Sequence, residues 1–310
     1  MYAIRTERLT KRFGPLTAVD ELTLDVAEGE LFGLVGPDGA GKTTTMRLLS
    51  SIMTPTEGDA WVAGCHVVRE AERIKERIGY MSQRFGLYAD LTVIENVNFF
   101  ADVYNEPRRG RREKIDRLLA FSNLTPFRRR LAGNLSGGMK QKLGLVCALI
   151  HTPKVLFLDE PTNGVDPVSR REFWRILHQL LQEKVTIFVS TAYLDEADRC
   201  GRVGLVHRGK LLACGTPAEV KRLMRGTILE VRAEQPRQAA AVLKERLPAA
   251  SVGLFGDRLH LVSHEPDRAA EESRAALAQA GLGVLGIRTI EPSLEDVFIS
   301  VLAGKEENAN

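Results

Sequence analysis

The chain has 310 residues, of which 44% are hydrophobic and 27% charged, with 13 prolines and 27 glycines. These figures exclude collagen-like, disulfide-rich and wholly disordered proteins. The net charge of +3, from 43 basic and 40 acidic residues, is too balanced to indicate a nucleic-acid partner by itself. The four cysteines lack metal-ligand spacing, so we expect free thiols in a reducing compartment. The longest apolar stretches are far shorter than the ~20 residues of a bilayer span, so we expect no membrane-crossing segment.

Residues 1–225 alternate short apolar runs with longer helical patterns, which is typical of an α/β fold built on a parallel sheet. The predicted buried strands are 31–35, 155–158 and 186–190, and the predicted helices that matter for the site are 43–52 and 139–150.

The residues after 226 follow a different pattern, in which strands and helices alternate as βαββαβ. The Gly256-Asp257 pair between two of these strands predicts a tight hairpin. We therefore predict two domains, 1–225 and 226–310, the second a small α+β unit of the ferredoxin-like type. Its last short helix is expected to begin after Ser293 as N-cap. The predicted strands are 227–233, 251–255, 258–263 and 284–289, with helices at 238–247 and 267–280.

Residues 36–43, GPDGAGKT, fit the phosphate-binding pattern G-x-x-x-x-G-K-[ST]. Glycines let backbone amides converge on phosphate oxygens, and the positive end of the next helix faces them. Lys42 is predicted to reach the β- and γ-phosphates, and Thr43 to bind Mg²⁺. A buried strand before the motif and a helix after it disfavour a glycine-rich turn with an incidental lysine. The predicted nucleotide-binding residues here are Gly36, Pro37, Asp38, Gly39, Ala40, Gly41, Lys42, Thr43 and Thr44.

Two acids, Asp159 and Glu160, directly follow the apolar run 155–158. The C-terminal edge of a parallel strand is where α/β sheets place ligands. Asp159 is therefore predicted to hold Mg²⁺ directly or through water, and Glu160 to polarise the attacking water in phosphoryl transfer. The alternative is that both acids merely begin a loop. It is disfavoured because a phosphate-binding loop precedes them in the chain.

The order of these motifs resembles the ATP-binding subunit of an ABC transporter over nearly the whole chain. Residues 135–141, LSGGMKQ, look like the signature of that family, and they precede a predicted helix whose N-terminus suits an anion. The resemblance implies a P-loop ABC ATPase domain, made of a RecA-like core and a helical subdomain. It also implies that the signature meets the γ-phosphate held by the opposite subunit. The signature residues are Leu135, Ser136, Gly137, Gly138 and Gln141.

The resemblance assigns further sites. Phe13 matches the aromatic residue that stacks on adenine, with a core phenylalanine as the alternative. Gln83 matches the glutamine that contacts Mg²⁺ and water, and residues 87–96 resemble the region that receives a coupling helix of the membrane subunit. The D-loop, which lines the partner's site in the family, corresponds to Asn163, Gly164, Val165 and Asp166.

Two positions depart from the family pattern. Ala192 stands where the family has its switch histidine, and a methyl group cannot bond the γ-phosphate or help to hold the attacking water. Loss of one preorganised polar contact lowers rates by roughly 10²–10³-fold, so we predict slow or partner-dependent hydrolysis. Asp38 stands where asparagine is common, and an added carboxylate near phosphates is unfavourable unless a donor or Mg²⁺ offsets it.

Several sequence blocks are similar to those in the ATPases of bacterial multidrug exporters that have separate type-2 membrane subunits. Residues 291–298 resemble the end of the C-terminal accessory domain in that branch of the family. The resemblance implies ATP and Mg²⁺ as cofactors, and a drug-like or lipid-like substrate. It implies membrane permease subunits and a second ATPase subunit as partners, at the cytoplasmic face of the inner membrane. A homodimer is expected, and a heterodimer with a complete second ATPase is the alternative that would explain Ala192.

Two other classes stay open. One is a soluble ABC ATPase that acts on ribosomes or DNA, although the chain has neither two cassettes nor a long coiled-coil insertion. The other is a non-hydrolytic regulatory cassette, which Ala192 favours and the intact Lys42 and Glu160 oppose. The arginine runs at 108–112 and 128–130 are interpreted as solvated surface rather than a specific nucleic-acid site.

Overall fold

The computed structural model describes residues 1–83, 86–247 and 251–307 of the chain. The chain divides into two compact units, Met1–Pro217 and Ala218–Asn310. The division falls at the start of a short helix, Pro217–Lys221, whereas the sequence pattern predicts the boundary after residue 225.

The described residues form these strands, in chain order: β1 (Tyr2–Phe13), β2 (Leu16–Ala27), β3 (Leu31–Val35), β4 (Glu57–Val62), β5 (Cys65–His66), β6 (Ile78–Met81), β7 (Val155–Asp159), β8 (Thr186–Thr191), β9 (Arg202–His207), β10 (Lys210–Gly215), β11 (Thr227–Ala233), β12 (Ser251–Phe255), β13 (Arg258–Ser263) and β14 (Val284–Ile290). The helices are α1 (Lys42–Leu49), α2 (Ala71–Lys75), α3 (Val93–Val103), α4 (Arg111–Phe121), α5 (Gly137–Leu149), α6 (Pro167–Gln182), α7 (Leu194–Ala197), α8 (Pro217–Lys221), α9 (Pro236–Arg246), α10 (Pro266–Gln279) and α11 (Leu294–Glu307). Every helix of these described ranges is too short or too polar to span a bilayer.

The larger sheet of the first unit has the order β10-β9-β3-β8-β7-β6. Its neighbours from β9 to β6 are all parallel, and β10 pairs with β9 as an antiparallel edge. Strands β3, β7 and β8 are buried along their whole length, as expected of central parallel strands covered on both faces. This sheet confirms the predicted α/β fold and brings the C-terminal ends of β3, β7 and β8 to one edge.

An antiparallel sheet of order β2-β1-β4-β5 was not predicted from the sequence. The long hairpin of β1 and β2 contains several register shifts, and Arg8 and Glu21 adopt left-handed backbone conformations with φ of 46° and 47°. Bulges interrupt the strict alternation of buried and exposed residues that identifies a strand in a sequence. The pattern is therefore weak although the strands are long.

The second unit has the predicted βαββαβ order, with an antiparallel sheet of order β12-β13-β11-β14. This is the strand arrangement of a ferredoxin-like unit, and its core lies between the sheet and helices α9 and α10. Ser293 caps α11 as predicted, since its Oγ accepts a hydrogen bond from the amide of Asp296 at 3.2 Å, and Asp296 Oδ2 accepts one from the amide of Ser293 at 2.9 Å.

Candidate active site

The predicted phosphate-binding loop joins β3 to α1 at the C-terminal edge of the parallel sheet. Glycine is required at two of its positions, because a Cβ on Gly36 would lie 2.1 Å from the carbonyl oxygen of Val206 and a Cβ on Gly41 2.2 Å from that of Ala18. Gly41 also has a left-handed φ of 99° and is the N-cap of α1. Its lack of a side chain leaves the N-terminus of α1 open to an anion.

The tip of this loop is exposed and its base is buried. Pro37, Asp38 and Gly39 are exposed, whereas Ala40 is buried and its amide bonds the carbonyl of Pro37 at 3.2 Å. Thr44 lies half-buried in the first turn of α1. The tip is therefore the part of the loop that a ligand can reach.

Three donors from separate motifs converge on the carboxylate of Glu160. Lys42 Nζ lies 3.1 Å from Oε1, while Oε2 accepts hydrogen bonds from Gln83 Nε2 at 2.9 Å and from Asn163 Nδ2 at 3.3 Å. Lys42 Nζ also donates to the carbonyl oxygen of Gly36 at 2.7 Å, so its side chain folds back over the loop. The side chains of Lys42 and Glu160 are only 4% and 9% exposed. Low exposure strengthens this ion pair, since little water screens it.

The backbone of Glu160 is held in a left-handed conformation with φ of 48°. Such a conformation costs of the order of 1–3 kcal/mol for a residue with a side chain, and it persists only where surrounding contacts enforce it. Its amide donates to the carbonyl oxygen of Ser190 at 3.2 Å and to Ser190 Oγ at 3.0 Å. The end of β8 therefore sets the direction in which the Glu160 carboxylate points.

One carboxylate oxygen of Asp159 accepts hydrogen bonds, and the other has no hydrogen-bond donor among the described residues. Its Oδ1 accepts hydrogen bonds from Thr43 Oγ1 at 3.2 Å and from Ser190 Oγ at 2.7 Å. Its Oδ2 is buried and has no donor among the described residues. A buried carboxylate oxygen without a partner is unfavourable, and a cation or its bound water removes that cost. The hydroxyl oxygen of Thr43 and the carboxylate oxygens of Asp159, which are neighbours through their hydrogen bond, are the hard ligands that Mg²⁺ prefers. The amide of Gln83 bonds the adjacent acid, Glu160.

Ala192 lies in the same cleft as Glu160, a space of about 210 Å³ that Asp38 and Tyr193 also line. The methyl group of Ala192 is exposed and offers no polar atom to this cleft. Tyr193 is held by Arg170, whose guanidinium carbon lies 4.2 Å from the centre of the tyrosine ring.

The signature residues lie at the start of α5. Ser136 is the N-cap of this helix, and its Oγ accepts a hydrogen bond from the amide of Met139 at 3.3 Å. Gly138 packs tightly on α6, because a Cβ there would lie 2.4 Å from the Cβ of Ser169, whereas a Cβ on Gly137 would meet nothing within 4 Å. The predicted helix 139–150 thus begins earlier than expected, within the signature itself.

The structure does not bring the signature to the carboxylates within one chain. No hydrogen bond or ion pair joins Ser136 to Lys42 or Glu160 in the described part of the chain. Leu135 is buried, and Gln141 lines a cleft of about 300 Å³ together with Gln83. Leu87 and Ala89, from the segment predicted to receive a membrane subunit, line that cleft as well.

Phe13 lies at the end of β1 with 44% of its surface exposed, so the alternative of a core phenylalanine is wrong. Lys11 Nζ lies 5.3 Å from the centre of the Phe13 ring. The exposure of the ring makes it accessible to a stacking partner.

The D-loop connects β7 to α6. Asn163 bonds Glu160 as described, Gly164 takes a left-handed φ of 70°, and Val165 is buried. Asp166 caps α6 by accepting hydrogen bonds from the amides of Val168 at 3.1 Å and of Ser169 at 3.0 Å. The bond from Ser169 is the main cause that lowers the pKa of Asp166.

Sequence reasoning missed a buried network around Glu196, which is fully inaccessible to solvent. Its two carboxylate oxygens accept hydrogen bonds from Thr162 Oγ1 at 2.7 Å and Thr191 Oγ1 at 2.8 Å, and Arg170 Nε lies 3.4 Å away. These contacts tie the D-loop to the segment that contains Ala192. An acid in a polar run such as 194–199 gives no sequence signal that it is buried.

Ser190 and Tyr80 are two further residues of the site without an assigned role in the sequence. Ser190 contacts both Asp159 and Glu160. Its position near the C-terminal end of β8 is the sequence feature from which a place in the site could have been predicted. Burial, with the nearby charge of Asp159, raises the pKa of Tyr80 to about 12, so this phenol stays protonated.

Comparison with known proteins identifies related families for both units. A family described as "ABC transporter" matches residues 19–163, and one described as "ATP-binding protein DrrA1-3-like, C-terminal domain" matches residues 215–302. The chain is 42% identical over 301 residues to "Probable multidrug ABC transporter ATP-binding protein YbhF" of Escherichia coli (strain K12). That match covers 96% of this chain and 51% of the relative, so the chain spans about half the length of that protein.

Another relative matches along nearly its whole length. The chain is 36% identical over 312 residues to "Daunorubicin resistance ATP-binding protein DrrA2" of Streptomyces coeruleorubidus, which covers 99% of this chain and 97% of the relative. Among solved structures, "Structure of ATP binding subunit of ABC transporter" superposes with a TM-score of 0.64 at 26% identity, covering 71% of this chain and 92% of that one.

Proposed function

The chain belongs to the ABC transporter family of ATP-binding proteins, and from this premise we propose that it binds and hydrolyses ATP to power export through separate membrane permease subunits. The observation that carries the proposal is the convergence of Lys42, Gln83 and Asn163 on the buried carboxylate of Glu160. Several orienting contacts on one buried acid, at the ligand-binding edge of a parallel sheet, are typical of a catalytic group.

We assign ATP to the loop 36–44. Backbone amides of the loop and the N-terminus of α1 would hold the phosphates, and Phe13 would stack on the adenine. Mg²⁺, when bound, neutralises charge on the phosphates that are being separated. Thr43 and Asp159 are its assigned ligands, with Gln83 alongside, and the unpartnered Oδ2 of Asp159 supports this assignment.

We propose that phosphate entry prepares hydrolysis by breaking the ion pair of Lys42 with Glu160. A phosphate is a stronger partner for Lys42 than one carboxylate oxygen is, because it offers several charged oxygens to the ammonium group. Transfer of Lys42 to the phosphate releases Oε1 of Glu160, which then accepts a proton from the attacking water. Gln83 and Asn163 keep Oε2 in place during this exchange.

We propose that hydrolysis is slow because Ala192 supplies no polar contact at the cleft that Glu160 lines. Asp38 lines the same cleft, and its negative charge opposes the approach of a nucleotide unless Mg²⁺ or a donor offsets it.

We further propose that two cassettes act together, with Ser136 of each serving the nucleotide of the other. The absence of contacts between Ser136 and the carboxylates within the described residues of one chain supports this arrangement, because the N-terminus of α5 is then available to a partner's phosphate. A homodimer requires no other gene product. The permease subunits would place the chain at the cytoplasmic face of the inner membrane, and the substrate would be drug-like or lipid-like. Residues 226–310 are proposed to dimerise or to regulate.

The proposal is tested with the purified full chain and two substitutions. We expect Lys42→Ala to lose ATP binding, and Glu160→Gln to retain binding while hydrolysis slows by about 10²–10⁴-fold. Glu183→Gln, at the exposed end of α6, is the matched control that should behave like the parent.

A second experiment tests the transport part of the proposal. The tagged chain, isolated from its own cells in mild detergent, should carry an integral membrane protein with it, and that complex should hydrolyse ATP. Recovery of ribosomes or DNA in place of a membrane protein would contradict export as the function.

A further inference from the structure

A second cleft, of about 620 Å³, lies between helices α3 and α4 and the segment after the turn Thr125–Phe127. None of the residues assigned to the nucleotide lines it. Its walls contain Ile94 and Ile115, and its remaining lining is dominated by five arginines: Arg108, Arg111, Arg112, Arg128 and Arg129. Five like charges around one space repel each other unless something negative enters.

Two of the five arginines are neutralised by the protein. Arg111 Nη1 pairs with Asp102, and its Nη2 donates to the carbonyl oxygen of Glu106. Arg128 Nη1 donates to Asp116 at 3.0 Å. These contacts fix the two guanidinium groups at the wall of the cleft. The Nε of Arg111 is buried and has no acceptor among the described residues.

The other three arginines are exposed and uncompensated. Within the described ranges, no carboxylate pairs with the side chains of Arg108, Arg112 or Arg129. Their charges add to the positive end of α4, whose N-cap, Gly110, has a left-handed φ of 79° and offers no capping side chain. Glu113 in the first turn of α4 offsets part of that potential, but it does not line the cleft.

Phosphate matches this arrangement better than a carboxylate does. Guanidinium groups hold phosphate through paired, charge-assisted hydrogen bonds, and several of them around one space suit a group with several charged oxygens. A volume of this size also exceeds what a single small anion fills.

We propose that the cleft between α3 and α4 is an anion site that binds a phosphate-bearing group, held by Arg112 and Arg129 and backed by the fixed guanidinium groups of Arg111 and Arg128. The group is either the headgroup of an anionic lipid or a free polyphosphate, which share the same recognition chemistry. The two fixed arginines set the shape of the site, and Arg112 and Arg129 supply the guanidinium groups that the protein leaves without a carboxylate partner in the described ranges.

The test compares two double variants of the full chain. Arg112→Ala with Arg129→Ala removes two of the three exposed arginines of the cleft. Arg109→Ala with Arg117→Ala removes the same charge from exposed neighbours that do not line it. Binding of phosphates to the nucleotide loop is common to both variants and cancels in the comparison. The probes are inorganic pyrophosphate, followed by calorimetry, and vesicles of phosphatidylcholine with or without phosphatidylglycerol, followed by sedimentation.

We expect the cleft variant to bind at least about tenfold more weakly than the control variant, from the loss of two charge-assisted contacts. If the cleft variant loses binding only to phosphatidylglycerol vesicles, the ligand is a lipid headgroup. If it loses binding to pyrophosphate, the ligand is a free polyphosphate. Equal binding of both probes by the two variants would overturn the proposal. So would a selective loss of single-stranded RNA binding with no change for either phosphate probe. Arg129→Ala alone serves as a second variant with a smaller effect in the same direction, should the double variant fail to fold.

Discussion

Restoring a polar side chain at position 192 should accelerate ATP hydrolysis. Ala192 is exposed at the mouth of a cleft of about 210 Å³ that Glu160 lines, so an imidazole in Ala192→His has room to enter without displacing the core. One preorganised polar contact to a developing charge is worth about 10²–10³ in kcat. We expect the lower value, about 10²-fold, because solvent reaches this position and weakens the contact.

The assay is the steady-state release of phosphate by the full chain with saturating ATP and Mg²⁺. Ala192→Leu is the matched control, since it adds similar bulk without a donor and should leave the rate unchanged or lower. Adding Glu160→Gln to Ala192→His should abolish the gain, because the imidazole assists a water that Glu160 activates. The reasoning is refuted if Ala192→His stays within about twofold of the parent, or if Ala192→Leu gains as much.

Three further predictions concern other parts of the chain. Gly138→Ala should lower the free energy of unfolding by about 1–3 kcal/mol, because the added Cβ would overlap Ser169. Gly137→Ala should lower it less, because a Cβ there meets nothing within 4 Å, and urea unfolding of the two variants measures the difference. Phe13→Ala should weaken ATP binding about tenfold through the loss of stacking on adenine. The unfolding midpoint should stay nearly unchanged, since the ring is exposed. An unchanged ATP affinity in a fluorescence titration would contradict the stacking assignment. Hydrogen bonds from Arg288 and Arg258 lower the pKa of Glu230. The ionised carboxylate therefore stabilises the folded chain above about pH 4.5, and this stabilisation is lost as the pH falls through the folded pKa. The free energy of unfolding in urea, measured between about pH 3 and 6, should depend less on pH in Glu230→Gln than in the parent, and an equal pH dependence would contradict this.

The proximity of the phosphate-binding loop to the two acids at the sheet edge could be predicted because the sequence signals for both are local. The strand 31–35 coincides with β3, and the loop after it follows a short pattern whose glycines are required by close approach of the backbone. The acids at the end of β7 are recognisable from an apolar run that ends in two charges. Each of these signals lies within a few residues of sequence, which is the range over which patterns are informative.

The supporting part could not be predicted because it depends on contacts between distant segments. Ser190 joins Asp159 and Glu160 from a neighbouring strand, and Glu196 is buried only because Thr162 and Thr191 meet it in space. The antiparallel hairpin was missed for a different reason, since its bulges break the alternation by which strands are recognised.

The most direct test of the account is single-turnover hydrolysis of ATP by the full chain, with Glu160→Gln beside it. If Glu160 activates the attacking water, the substituted chain should bind ATP and Mg²⁺ as tightly as the parent and hydrolyse it about 10²–10⁴-fold more slowly. Equal rates of hydrolysis in the two proteins, with ATP bound to both, would contradict the assignment of Glu160 as the catalytic base.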